Sequence, residues 1–129
     1  MITNIKDYYV LYNSIISLDD KVRFVTILDK SGMILFGGQR EGIENHLNET
    51  EQKKSISHAL DSWFHRNTFS EKIGDVKYAM AEYGKIKRFT IPLNHMHLLY
   101  ITTEPEINGS FIENVLKIKE AHEKDKHSF

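Results

Sequence analysis

The chain has 129 residues, which is enough for one ordinary domain and too little for two independent cores. Its 17 basic and 18 acidic residues leave a formal charge of -1, so we expect no general attraction to nucleic acid or to anionic lipid. The absence of cysteine excludes disulfides and zinc-thiolate sites and fits a reducing interior. Residues 1–12 lack a signal-peptide pattern, and no apolar run approaches the roughly 20 residues that a membrane helix needs. We therefore expect a single cytoplasmic domain.

The first part of the chain predicts a helix followed by a β-hairpin. Apolar residues at helical spacing, with three tyrosines among them, form a broad stripe over residues 5–16. Residues 22–29 (VRFVTILD) are rich in β-branched side chains and predict a strand, and residues 33–36 predict its return strand. Gly37 and Gly38 are expected to end that second strand. Because both segments are apolar on both faces, we expect the whole hairpin to lie in the covered part of a sheet.

A single long helix is predicted in the middle of the chain. Asn48 with Glu51 has the spacing of a capping box, and Thr50 is the alternative cap; either marks the start of a helix. The segment that follows runs to about Arg66 and carries an apolar stripe with the spacing of one helical face. That stripe consists of Ile56, Ala59, Leu60, Trp63 and Phe64.

Three strands and a last helix complete the predicted order. Short turns that suit hairpins separate three extended segments, which are residues 76–82, 86–93 and 96–103. Ser110 with Glu113 predicts the capping box of the last helix, which we expect to fray after Ala121. The domain is thus expected to span residues 1–121, with 122–129 as a charged C-terminal tail. The order α-β-β-α-β-β-β-α predicts an α/β (α+β) fold in which helices pack on the faces of a five-stranded antiparallel sheet.

The histidines do not form a metal site that the sequence supports. His95 and His97 lie two residues apart, on one face of a predicted strand, but the sequence indicates no third ligand. His58 and His65 lie seven residues apart on the central helix and lack the His-Glu-x-x-His arrangement of a metalloprotease. We therefore predict no metal.

The remaining polar groups do not point to catalysis. Ser55 lies near a histidine and an acid, but its place on a helix provides neither a strained elbow nor an oxyanion hole. Arg40 follows two glycines at a strand exit and is a candidate anion contact, although the segment lacks the Gly-Lys-Ser/Thr ending of a phosphate loop. A short basic run is interpreted as a solvated strand face, and it consists of Lys85, Lys87 and Arg88. We expect no enzyme, no catalytic residue and no cofactor.

The order and lengths of these elements resemble the roadblock/longin group of profilin-like domains. Residues 24–34 (FVTILDKSGMI) resemble the strand-Asp-x-x-Gly-strand opening of that group. The chain also resembles a family of small, uncharacterised archaeal proteins over roughly residues 20–118. The pattern shared with that family includes Val22-Arg23-Phe24, Gly37-Gly38, Gly74-x-Val76-x-Tyr78, Ile91-Pro92-Leu93 and Glu104-Pro105.

The roadblock/longin resemblance implies where a partner docks. It implies a sheet with residues 76–82 at one edge and residues 33–36 at the other, and an unpaired edge can accept a further strand. It also implies a homodimer in which the edges pair and the central helices pack together, as in a scaffold or regulator of a small GTPase or signalling partner. The interface residues expected on this basis are Trp63, Phe64, Tyr78, Met80 and Ala81.

The alternative hypothesis is a small-ligand sensor that resembles PAS domains. Such a domain would hold a cavity between its sheet and its helical cover. A single long helix between the second and third strands favours the interaction module, because PAS-like chains place several short helices there. The residues expected to line the sensor's cavity are Tyr8, Tyr12, Phe24, Phe36, Trp63 and Phe89.

Overall fold

The computed structural model describes residues 5–94 and 96–127. Within these ranges the chain forms α1 (Ile5–Ile16), β1 (Val22–Asp29), β2 (Ile34–Gln39), α2 (Glu49–Asn67), α3 (Ser70–Ile73), β3 (Ala79–Glu82), β4 (Lys87–Leu93), β5 (His97–Thr103) and α4 (Phe111–His127). The predicted order is confirmed, and α3 is a short addition that the periodicity did not predict. Over the same ranges, no helix combines the length and apolar character needed to cross a bilayer.

The sheet has the strand order β2-β1-β5-β4-β3, and every neighbouring pair is antiparallel. The central strand is β5, which pairs with β1 on one side and with β4 on the other. Its residues 98–103 are all buried, as expected for a strand covered on both faces. The two edges are β2 and β3, in agreement with the order that the resemblance implies.

Helices cover both faces of the sheet and create two cores. On one face α1 and α4 pack on the sheet, and their core includes Leu11, Ile15, Phe89, Leu99, Ile101, Phe111 and Val115. On the other face α2 packs on the sheet, and its core comprises Leu28, Ile56, Ala59, Leu60, Trp63, Leu98 and Tyr100. The apolar stripe predicted for α2 is therefore the face that it buries, apart from Phe64.

The hairpin differs from its prediction at β2. The first strand is buried as expected, but Met33 is 63% exposed and Ile34 is 46% exposed. The prediction of burial was wrong for β2, because β2 is an edge strand with only one neighbour. The apolar character of its residues does not show that a strand lies at an edge. Gly37 and Gly38 lie inside β2 rather than ending it. Between Ile34 and Phe36 the register with β1 shifts, which makes the edge irregular.

The turn between β1 and β2 is held by one carboxylate. Asp29 Oδ1 accepts hydrogen bonds from Ser31 Oγ at 2.7 Å, from Ser31 N at 2.9 Å and from Met33 N at 3.0 Å. The Ser31 hydroxyl contributes most to lowering the pKa of the Asp29 carboxyl below its usual value, and the backbone N–H groups of the turn add to the effect. Gly32 completes the turn with φ of 93°.

The helix ends show how local chemistry sets the boundaries. The capping box predicted for α2 is confirmed, because Asn48 accepts from Glu51 N and Glu51 accepts from Asn48 N. Ahead of α4, Asn108 Oδ1 accepts from both the N–H and the hydroxyl of Ser110 at 2.9 Å. The backbone of α4 continues to His127, and fraying after Ala121 stays a prediction. The division into a domain at 1–121 and a tail at 122–129 stays a prediction.

Replacing Gly37 with alanine is expected to destabilise the fold. Gly37 has φ of +99°, and a Cβ at this position would lie 2.2 Å from the backbone oxygen of Val25. We expect Gly37→Ala to lower the free energy of unfolding by about 1–3 kcal/mol, measured by urea denaturation. Gly38→Ala is the matched control, because no atom lies within 4 Å of its added Cβ. Equal urea midpoints for the two variants would contradict this account of β2.

Candidate protein-interaction edge

The edge strand β3 is short and regular. It pairs with β4 at four consecutive positions, from Ala79 opposite Thr90 to Glu82 opposite Lys87, without a register shift. On its other side, no strand of the described chain pairs with it. Glu82 is the only charged residue in β3. Charged side chains are a common protection of exposed edges, and β3 has little of it.

The opposite edge, β2, is less suited to adding a strand. Its register with β1 shifts at Leu35, and Gly37 has a positive φ in the middle of the strand. Bulges and left-handed residues interrupt the row of outward N–H and C=O groups and twist an edge away from a partner. Although β2 carries no charge, its backbone is less regular than that of β3.

The predicted interface residues of β3 lie on two different faces of the sheet. Met80 pairs with Phe89, which belongs to the core under α1 and α4, and Met80 is 46% exposed. Ala81 pairs with Arg88, whose guanidinium meets α2, so Ala81 lies on the α2 side. Tyr78 precedes the strand and is exposed. A partner strand at this edge would therefore extend both faces of the sheet.

The predicted interface residues of α2 separate into a buried one and an exposed one. Trp63 is 5% exposed and belongs to the core between α2 and the sheet. Phe64 is 42% exposed, and its ring centroid lies 5.3 Å from that of Trp63. A single chain thus buries Trp63 without help, whereas Phe64 leaves apolar surface open. Their role at an interface stays a prediction.

A polar network joins α2 to β4 and β5, and the sequence did not indicate it. Arg88 is 7% exposed, and its Nη1 donates to Ser55 Oγ at 3.1 Å. Its Nη2 lies 3.3 Å from His58 Nδ1, and its guanidinium carbon lies 5.8 Å from the centre of the Tyr83 ring. Ser55 Oγ is also 2.8 Å from the Tyr100 hydroxyl. The interpretation of the basic run as a solvated strand face is therefore wrong for Arg88. Its buried guanidinium joins α2 to β4, the strand that pairs with β3.

Arg40 has a structural role instead of the anion contact considered from the sequence. Its Nε donates to the backbone oxygen of Val22 at 2.7 Å. Its Nη2 donates to the backbone oxygens of Ile16 and of Asp19, the latter at 2.9 Å. The guanidinium thus holds the connection between α1 and β1.

The histidines do not assemble into a metal site in the described part of the chain. His97 contacts the Tyr8 hydroxyl through Nδ1, and the two ring centroids lie 5.6 Å apart. His58 and His65 are exposed on α2, and His95 lies outside the described residues. Within the described residues, no three His, Asp or Glu side chains form a group that could hold a metal ion.

The cavity expected for a PAS-like sensor is not formed by the residues proposed for it. The sheet separates these residues into two groups: Phe24 and Trp63 lie on the α2 side, whereas Tyr8, Tyr12, Phe36 and Phe89 lie on the side of α1 and α4. Aromatic rings fill the space around them, as where Phe36 meets Tyr12 edge to face with centroids 5.8 Å apart. The six residues therefore cannot line one cavity.

Comparison with known proteins places the chain in a family. Residues 1–129 match the family described as "Family of unknown function (DUF6659)". The chain belongs to this family. No curated protein matches the DUF6659 chain. The archaeal origin that the second resemblance implies stays a prediction.

Solved structures confirm the roadblock/longin-like, profilin-like fold. MglB of Myxococcus xanthus aligns over 98% of the DUF6659 chain and 100% of its own, with a TM-score of 0.72 and 10% identity. A roadblock/LC7 domain from Streptomyces avermitilis covers 92% and 96%, with a TM-score of 0.67 and 11% identity. MglB in a tetrameric arrangement covers 96% and 92%, with a TM-score of 0.74 and 8% identity. Identities this low show the fold alone.

Truncating the two neighbouring aromatic residues of α2 is expected to have unequal effects. Trp63→Ala removes a buried ring and should lower the free energy of unfolding by about 3–5 kcal/mol. Phe64→Ala removes a half-exposed ring and should cost about 1 kcal/mol, mainly the contact between the rings. Urea denaturation at low protein concentration measures both values with little contribution from self-association. A cost for Phe64→Ala as large as that for Trp63→Ala would contradict the placement of the two rings.

Proposed function

We propose that this DUF6659 chain is a non-enzymatic protein-interaction module that forms a homodimer through β3. The observation that carries the proposal is a regular edge strand with one charge, next to exposed apolar side chains. Unpaired backbone groups at an edge are satisfied when a second strand adds to the sheet. A second copy supplies such a strand with the same pattern, because two-fold symmetry brings the same surface of each copy together.

The side chains around β3 support this arrangement. Four exposed aromatic or aliphatic residues lie on or beside the strand and α2, namely Phe64, Tyr78, Met80 and Tyr83. Pairing of two β3 strands would cover part of this surface on both faces of the sheet. Arg88 joins β4, the strand that pairs with β3, to α2, so the strand next to this edge is anchored to a helix. Burial of this apolar surface would supply most of the association energy.

The finer proposal is that the homodimer acts in the cytoplasm as a scaffold or regulator of a small GTPase. It is supported by the fold that the chain shares with MglB and with a roadblock/LC7 domain, since the roadblock resemblance implies this role. The tetrameric arrangement of one MglB structure adds an example of this fold in an assembly.

Placing a charge on each edge in turn tests the homodimer. Met80→Lys adds a lysine to β3 and is expected to give a monomer in light scattering at micromolar concentration, because the charge would be buried at the interface. Met33→Lys places the same charge beside β2 and is expected to leave the dimer intact. The proposed interface would be overturned if the protein without substitutions were strictly monomeric, or if Met33→Lys alone dissociated the dimer. Circular dichroism is used to check that both variants are folded.

The GTPase proposal is tested with the same proteins. Small GTPases of the source genome, loaded with GDP or with a GTP analogue, are assayed for binding to the dimer by calorimetry. The expected result is binding that depends on the nucleotide and is weakened by Met80→Lys. A dimer that binds none of them would contradict the GTPase role and leave the homodimer standing.

A further inference from the structure

The hydrogen bonds of the β3–β4 hairpin show which backbone groups of β3 point to the open edge. Just after the strand, the Tyr83 N–H donates to the backbone oxygen three residues later, at 2.8 Å. In an antiparallel pair, residues that exchange hydrogen bonds with the neighbouring strand alternate with residues that do not. The alternation that starts at Tyr83 directs the backbone groups of Ala81 and Ala79 toward β4. Met80 and Glu82 therefore direct their N–H and C=O groups outward.

The side chains of β3 follow the same alternation. Met80 pairs with Phe89 of the core under α1 and α4, so Met80 and Glu82 lie on that face of the sheet. Ala79 and Ala81 lie on the α2 face, and both are less exposed than Met80 and Glu82. A strand that adds to this edge thus meets larger side chains on one face and only methyl groups on the other.

These alternations restrict how two copies of β3 can pair. An outward N–H or C=O group finds its partner only opposite another outward residue, and a shift by one residue would also exchange the two faces. With Ala81 on the two-fold axis, Met80 lies opposite Glu82 of the partner subunit, and every outward group of both strands is paired. With Met80 on the axis, the outward groups of Glu82 would face a residue before the strand. With Glu82 on the axis, two like charges would lie directly opposite each other.

We propose that the homodimer pairs its β3 strands in the antiparallel register that places Ala81 on the two-fold axis. This inference rests on the homodimer proposed above and names the residues that form its seam. The two Ala81 residues face each other as a pair without hydrogen bonds, in which the Cα atoms lie only about 4.5 Å apart, and small side chains suit this approach. Glu82 lies beside Met80 of the partner subunit, so the two carboxylates are not opposed.

Tyr83 gives each copy a contact that it cannot make alone. Its ring is 50% exposed, and the ring centre lies 5.8 Å from the guanidinium carbon of Arg88, on the α2 face. The proposed register places Tyr83 opposite Ala79 of the partner subunit. The small side chain of Ala79 leaves room for this ring, so each subunit covers an alanine of the other with an aromatic side chain.

The register can be tested by disulfide crosslinking, because the sequence contains no cysteine. Ala81→Cys is expected to form an intermolecular disulfide under mild oxidation, since Cα atoms about 4.5 Å apart are within disulfide range. Met80→Cys and Ala79→Cys are the matched controls and are expected to form none. Each of these residues lies about 7 Å or more along the strands from its own copy, beyond the reach of a disulfide. A mixture of Met80→Cys and Glu82→Cys should form a mixed disulfide. Non-reducing gels measure each product.

The outcomes separate the register from the homodimer. A disulfide in Met80→Cys instead of Ala81→Cys would overturn the register and leave a dimer through β3 standing. If none of the variants formed a disulfide although light scattering under reducing conditions showed dimers, the β3 seam would be wrong. A strictly monomeric protein without substitutions would overturn the homodimer and the register together. Circular dichroism is used to check that every variant is folded.

Discussion

The burial of β5 on both faces is the constraint on which the rest of the structure depends. Leu98 and Tyr100 pack toward α2, whereas Leu99 and Ile101 pack toward α1 and α4. A strand with apolar side chains on both faces is stable only where neighbours and helices cover it, so β5 occupies the centre of the sheet. The helices must then form two layers. The chain has no further strand in its described part, so β2 and β3 stay at the edges.

The two edges differ in geometry, and that difference directs the functional proposal. A register shift and Gly37 make β2 irregular, whereas β3 pairs regularly with β4 and carries a single charge. The buried guanidinium of Arg88 connects β4 to α2 directly behind this edge. We therefore propose β3 as the docking edge of the DUF6659 chain, on a fold that it shares with MglB.

The sequence predicts those features that depend on local chemistry and periodicity. Asn48 and Glu51 locate the start of α2 because capping is a contact within one turn. The exposure of β2 was not predictable from its apolar residues, because burial depends on which strand lies beside it. For the same reason Arg88 was interpreted as part of a solvated strand face, although its side chain is buried against α2.

Hydrogen exchange of the β3 amides at two protein concentrations tests the central claim most directly. Pairing of two β3 strands would protect the outward N–H groups of Ala79–Glu82, and mass action makes that protection increase with concentration. The account predicts slower exchange in β3 at high concentration and no change in Ile34–Gln39 of β2. Exchange in β3 that is independent of concentration, or protection that appears at β2 instead, would contradict the account.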